Sequence, residues 1–271
     1  MTVPSVFASD FRYATLTGVT DVQTVMDKID DEITAQLPTA SRWTDLGSGV
    51  YKSPPQDPTD ANRFMQVELI RDSATRLSFK IMDKSGSAIY DGAIDFTTSC
   101  DAKIWCGPYH LVVQLKYAGS TYEEAYAVML DPTPFGLTMT PLFVIGYTRR
   151  NSTGTLVGNH YPDEAVLNDV YGASPVRRLT MCTPSAVGAT VNGQTAGGSN
   201  IAVPIECDAQ VTSGQHRWAG RPYQFITGPL TLSPEAVITV PLDDGVSGDF
   251  EVLGKAAPAG GYNGCLAVRR A

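Results

Sequence analysis

The sequence is poor in the residues that carry most enzyme chemistry. It holds three histidines in 271 residues (His110, His160 and His216), and charged residues make up only 18%. No Gly-x-Ser-x-Gly elbow occurs and no nucleophile signature surrounds any cysteine, so a triad lacks its activated member. A Gly-x-x-x-x-Gly-Lys phosphate loop, a Gly-x-Gly-x-x-Gly after a strand and an EF-hand ligand series are also missing. No stretch is densely basic and the net charge is −8, which argues against a grip on nucleic-acid backbones. No window approaches the roughly 18 consecutive apolar residues of a membrane helix, so no membrane partner is expected. Residues 1–10 lack a basic region followed by an apolar one, and read as carrying no secretory signal. The five cysteines (Cys100, Cys106, Cys182, Cys207, Cys265) are few and odd in number, the pattern of reduced thiols rather than a disulfide framework. No repeat of roughly 20–50 residues is visible, which excludes solenoids and propellers.

What remains is a folded chain of low charge density. Hydrophobic residues reach 43% and mean hydropathy is −0.07, too apolar for disorder. At about 150 residues per domain the length suits one to two domains, each able to bury a core without metals or disulfides. Residues 1–19 scatter Phe7, Phe11, Tyr13 and Leu16 without a period, and read as an extended arm that docks on another copy. Val22, Val25, Met26, Ile29, Ile33 and Leu37 then fall on one face of a helix. Thr20 and Gln23 have the form of a capping box, Asp21 adds charge at the positive end of the dipole, and Pro38 stops the helix. Asp27, Lys28, Asp30, Asp31 and Glu32 occupy its other face.

From residue 42 to 131 the period changes to two. Met65, Val67 and Leu69 alternate with Gln66 and Glu68, and Leu77, Phe79 and Ile81 alternate with Ser78 and Lys80. The polar runs 72–75, 83–86 and 118–121 suit hairpin turns. With further strands at 89–96, 109–117 and 122–130, this predicts an antiparallel β-sandwich with Leu111, Val113 and Leu115 also facing inward. The breakers of residues 132–141 read as a linker. Residues 142–271 read as a second β-rich domain, with a short helix at 162–171 and a Gly/Ser/Thr-rich loop at 185–200 whose Asn192-Gly193 signals a hairpin. The fold class is therefore mainly β, with one N-terminal amphipathic helix and domains at 1–41, 42–131 and 142–271.

Candidate chemistry is thin. Cys100, Cys106 and His110 come nearest to metal-ligand spacing, but the short Cys-x2-4-Cys step and a second pair are absent. An ordinary hairpin with two nearby thiols, open to oxidation, is the plainer reading. His160 and His216 lie in loop-like settings. The carboxylate pairs Glu123-Glu124, Asp163-Glu164 and Asp243-Asp244 are sequence neighbours, which on a strand point to opposite faces and make no catalytic pair. No catalytic, cofactor-binding or metal residue is assigned, and no cofactor is expected. Interface residues are the better candidates: Phe7, Phe11 and Tyr13 in the arm, Trp218, and the pairs Arg149-Arg150, Arg177-Arg178 and Arg269-Arg270, which suit acidic surfaces within or between chains. Tyr122 and Tyr126, or Trp218 beside Arg217 and Arg221, offer an aromatic face of the kind that binds saccharides.

The arm, the segment 20–38, the run Gly49-Val50-Tyr51-Lys52-Ser53-Pro54, and the strands from Arg63 to Leu69 and from Leu77 to Gly86 together resemble a tailed-bacteriophage virion structural protein of the neck, collar or tail. The resemblance is of style over about the first half of the chain and carries no functional residue across. It implies a β-rich, catalytically silent protein, made in the host cytoplasm, that forms a symmetric ring with copies of itself and touches neighbouring virion proteins. Two other classes stay open: a glycan-binding β-sandwich for host attachment, and a secreted hydrolase or lectin.

Overall fold

The computed structural model describes residues 10–56, 61, 63–82, 85–119 and 121–130. Beyond residue 142 it describes the strands named below with residues 224, 235, 236 and 270. Over the described residues the chain is mainly β, with antiparallel sheets and a single short α-helix. Its strands are β1 (Arg12–Val19), β2 (Thr44–Gly47), β3 (Val50–Lys52), β4 (Gln66–Ser73), β5 (Arg76–Met82), β6 (Ala88–Asp95), β7 (Cys100–Gly107), β8 (His110–Tyr117), β9 (Thr121–Met129), β10 (Phe143–Arg150) and β11 (Val166–Asp169). They continue as β12 (Arg178–Cys182), β13 (Thr190–Val191), β14 (Gln194–Thr195), β15 (Val203–Pro204), β16 (Glu206–Thr212), β17 (Gln215–Gly220), β18 (Phe225–Pro229), β19 (Val237–Pro241), β20 (Ser247–Lys255) and β21 (Gly264–Arg269).

Three larger sheets organise the described residues: β2-β3-β4-β5-β6, β1-β7-β8-β9-β10-β11 and β15-β18-β21-β20-β19. The first two share one apolar core with the helix α1 (Val22–Asp30). Met65, Val67, Leu69, Leu77, Phe79 and Ile81 come from the five-stranded sheet, and Leu111, Val113 and Leu115 from the six-stranded one, each essentially without solvent exposure. Gln66, Ser78 and Lys80, at the alternate positions, are only half-buried, so the alternation names the inward face correctly there. At the 72–75 turn, Val22 N–H donates to the Ala74 carbonyl at 2.7 Å and Arg71 bonds Asp21 at 2.8 and 2.9 Å, which pins the start of the helix to the β4–β5 hairpin.

The helix departs from expectation at both ends. Asp21, not Thr20, is the N-cap, and its carboxylate accepts from the Gln23 N–H at 2.8 Å. The last turns widen into a π-helical stretch over Asp31–Gln36, where Leu37 N–H reaches back five residues to the Glu32 carbonyl. The widening keeps Ile33 and Leu37 in the core. Glu32 is not on a solvated face: it is 3% exposed and paired with Arg12 at 3.0 Å and Lys28 at 2.7 Å.

The N-terminal residues also differ. Residues 12–19, expected as part of an arm docking elsewhere, form β1, pair antiparallel with β7 of the same chain and bury Ala14 and Val19. Their lack of a simple period has a physical cause: Ala14 faces the core and Tyr13 packs on Trp105, whereas Thr15, Thr17 and Gly18 are exposed and the register shifts between Leu16 and Val19. Cys100 and Cys106 both lie on β7, one arm of the β7–β8 hairpin, and both are buried free thiols. Burial pushes the Cys100 thiol up to about 12, with the Asp101 charge adding to it, so it stays protonated and inert.

Past residue 130 the six-stranded sheet continues. The expected linker lies outside the described residues, but β10 pairs with β9 and β11 pairs with β10, so the sheet extends across that point in the sequence. Val166–Asp169 is a strand where residues 162–171 were expected as a helix, because β10 offers an open edge to pair with. His216 sits in β17, opposite Gln210, rather than in a loop. Asn192-Gly193 separates the paired β13 and β14, as the hairpin signal predicts.

Candidate functional site

Strand alternation fixes what the second face of the six-stranded sheet carries. Cys106, Leu111 and Ala127 form one cross-strand row on the core face, and Ile104, Val113 and Ala125 another. The rows between them point away: Tyr13, Trp105, Val112 and Tyr126, then Lys103, Gln114 and Glu124. Trp105, Val112, Gln114, Glu124 and Tyr126 are nonetheless buried. Residues of the C-terminal sheet supply part of the cover.

The contacts across this seam are charged. Lys103 Nζ bonds Glu235 at 2.8 Å and Glu251 at 2.6 Å, and Lys116 Nζ bonds the other oxygen of Glu235 at 2.7 Å. Gln114 donates to Glu124 at 2.8 Å and to the Leu253 carbonyl at 3.3 Å, while the Tyr126 hydroxyl donates to Glu124. The Arg270 guanidinium lies 4.3 Å from the Tyr13 ring and 3.8 Å from Glu251. Burial alone pulls the Lys103 ammonium down, but its bonds to Glu235 and Glu251 outweigh that and hold its pKa above the ordinary value. Burial likewise pushes Glu235 up, and its hydrogen bonds from Lys103 and Lys116 win and hold it down. Both shifts favour the ionised pair. The Tyr13 hydroxyl is raised by burial first and then by the Glu251 charge.

At one end of the seam lies His110. Its ring is wholly buried, 5.0 Å from the Phe11 ring and tilted against it, and neither nitrogen has a hydrogen-bond partner. The Arg269 guanidinium sits 4.7 Å from the opposite partner, the Phe11 ring. Gly107 pairs with His110, and a Cβ there would collide with the imidazole. Burial, and then the Arg269 charge, lower the histidine to about 3, so it is neutral under ordinary conditions.

This geometry settles several expected groupings. The thiols of Cys100 and Cys106 belong to the core face and His110 to the other, so the spacing Cys-x5-Cys-x3-His does not converge on a metal. Among the described residues no group of three or more His, Cys, Asp or Glu side chains is placed to hold one. Glu123 and Glu124 do point to opposite faces: Glu123 accepts from the Asp95 N–H and from Tyr117, Glu124 from Gln114 and Tyr126. Tyr122 and Tyr126, expected as exposed aromatics, are 9% and 4% exposed, so within this chain they present no open saccharide platform. Among the described residues no helix is long and apolar enough to cross a membrane.

Of the expected interface residues, the structure brings Phe11, Tyr13, Arg269 and Arg270 together inside one chain. Arg149 and Arg150 are in register opposite Glu124 and Glu123. Arg178 opens β12 opposite Gln210, and Trp218 on β17 is opposite Asp208. Phe7, Arg177, His160, Asp163, Glu164, Asp243 and Asp244 lie outside the described residues. Lys103, Gln114, Lys116, Glu235 and Glu251 were not singled out in the sequence. The available signal was Lys103, Gln114 and Lys116 at alternate positions of otherwise apolar strands, which reads equally as a solvated face. No protein-family model matches the sequence, and no curated protein is similar to it.

Proposed function

We propose that this chain is a non-catalytic structural component of a bacteriophage particle, repeating around a symmetric ring in the neck, collar or tail and contacting other virion proteins. In this reading the two sheets around the shared core are a β-sandwich, and the C-terminal sheet belongs to a second β-rich domain docked on it. The observation that carries the reading is how the ionisable groups of the seam are used. Lys103, Lys116, Glu235 and Glu251 are one another's partners, tied between two sheets, which is the chemistry of a joint.

A second feature supports the ring. The exposed large hydrophobic residues among those described are Leu46 and Val237. Each lies on a terminal strand of its sheet, Leu46 on β2 and Val237 on β19. Closed rings form by head-to-tail contacts between unlike patches, and two different exposed edges meet that requirement. The partners are then copies of itself and neighbouring virion proteins, with neither nucleic acid nor membrane among them.

Electron microscopy and mass measurement of the purified full chain test this, together with antibody labelling of phage particles. The expected result is a closed ring weakened by Leu46→Asp or Val237→Asp, and label confined to the neck or tail. A chain that stays monomeric, is missing from particles and turns over a glycan or peptide would overturn it.

A further inference from the structure

The groups that cross the seam carry a consequence for how the two sheets stay together. Each ion pair from the six-stranded sheet to the C-terminal sheet has its cation on the former and its carboxylate on the latter: Lys103 to Glu235 and Glu251, and Lys116 to Glu235. Arg269 and Arg270 add two further cations at the same seam, over Phe11 and Tyr13. Loss of the Glu235 charge therefore leaves Lys103 and Lys116 at a seam that already holds two arginines.

His110 adds to that change from a different place. It is enclosed by Phe11 of the segment leading into β1, by Gly107 of β7, and by Val128, its cross-strand partner on β9. Of the charged groups around it, Arg269 of β21 acts on it directly. Asp10, whose carbonyl lies beside Gly107, has its carboxylate committed to the Ser41 hydroxyl at 2.6 Å. Farther along the seam are Tyr13, Lys103, Lys116 and Glu124 on the six-stranded sheet, and Glu235, Glu251 and Arg270 across from them. A buried imidazole with no hydrogen bond costs stability that an apolar ring of the same size would not, so the site is expensive for a purely packing role.

We infer that this seam is an acid-released joint, in which protonation of His110 beside Arg269, followed by loss of the Glu235 charge opposite Lys103 and Lys116, frees the C-terminal sheet from the six-stranded sheet while the core around α1 stays folded. The sign follows from linkage. An imidazole held neutral while docked, and free to protonate once exposed, weakens docking as pH falls below about 6.5, by about tenfold per pH unit down to its docked value. The bond-lowered Glu235 contributes docking strength in full above the ordinary carboxylate range and loses it as pH falls below that range, through its lowered docked value. Both effects have the same direction. The joint lies within the single chain and does not depend on any particle around it.

The test is hydrogen exchange on the full chain between pH 7.5 and 3, with labelling times scaled to the intrinsic rate at each pH. Peptides covering residues 235–241 and 247–255 are expected to lose protection together, at a higher pH than peptides covering residues 66–82. His110→Phe keeps a ring of similar shape without the titration, and is expected to move that first transition down by about one pH unit. His110→Gln, neutral at every pH, serves as the second variant if the first does not fold, and should move it in the same direction. A single transition in which all these peptides lose protection at one pH would overturn the inference, as would variants whose first transition coincides with the wild type.

Discussion

Two faces of the six-stranded sheet are both largely covered and chemically opposite. Ala102, Ile104, Cys106, Leu111, Val113 and Leu115 fill the core side, and Lys103, Trp105, His110, Val112, Gln114 and Lys116 lie on the other. Burial on the first face is driven by removing apolar surface from water, at about 25 cal/mol per Å². On the second, ions and amides become covered only because partners arrive from the C-terminal sheet. The first face is stable by composition; the second is stable only while its partners are in place.

That contrast can be broken from either side. The largest effect is expected on the core side: Phe79→Ala, at a wholly buried position, should cost about 3–5 kcal/mol and unfold the shared core as a unit, measured by urea denaturation. On the seam, Lys103→Ala leaves Glu251 buried with its nearest partner gone, and should cost about 3 kcal/mol. The double variant Lys103→Met with Glu251→Leu should recover much of that loss, whereas the same pairing logic gives no recovery for two core deletions. A double variant no better than Lys103→Ala would show that the pair is not the unit.

A smaller effect is expected where backbone conformation rather than either face is at stake. Gly49 has φ +78° and its missing Cβ would overlap the Leu69 carbonyl oxygen, so Gly49→Ala should cost about 2 kcal/mol in the same assay. The smallest belongs to the exposed helix start. The Arg71 bonds and the Gln23 N–H hold the Asp21 carboxyl down at about 2. Its contribution is present above the ordinary aspartate range and is lost as pH falls through 2. Asp21→Asn should therefore melt at a slightly lower temperature than wild type at pH 6, with the gap closing as the pH approaches 2. A gap unchanged over that range would mean that the charge of Asp21 is irrelevant to the cap.

How much of this was legible depends on what lies across from each strand. β4 and β5 were readable because one face is apolar and the other half-solvated, so Leu69 and Glu68 differ in kind. β1 was not, because on the face of Tyr13 a covered aromatic is followed by the exposed Thr15 and Thr17, and the register shifts between Leu16 and Val19. β7 was hidden by its cysteines: Ala102, Ile104 and Cys106 alternate correctly, but Cys100 and Cys106 read as thiols rather than as small apolar residues. Val166–Asp169 failed for a third reason, since a four-residue strand forms where a neighbour supplies an open edge and no local propensity records that neighbour.

By itself the sequence determined the mainly β class, the helix that begins near Asp21, the hairpin turns and the core-facing set from Met65 to Leu115. These follow from periods, caps and turn residues, all of which act within a few positions of one another. Only the tertiary structure decided that residues 12–19 stay with their own chain, that the sheet continues through β10 and β11, and that Lys103 meets Glu235 and Glu251 more than 130 residues away. An ion pair between distant strands leaves no local trace, because a lysine facing solvent and a lysine facing a buried carboxylate sit at the same alternate position of the same strand pattern.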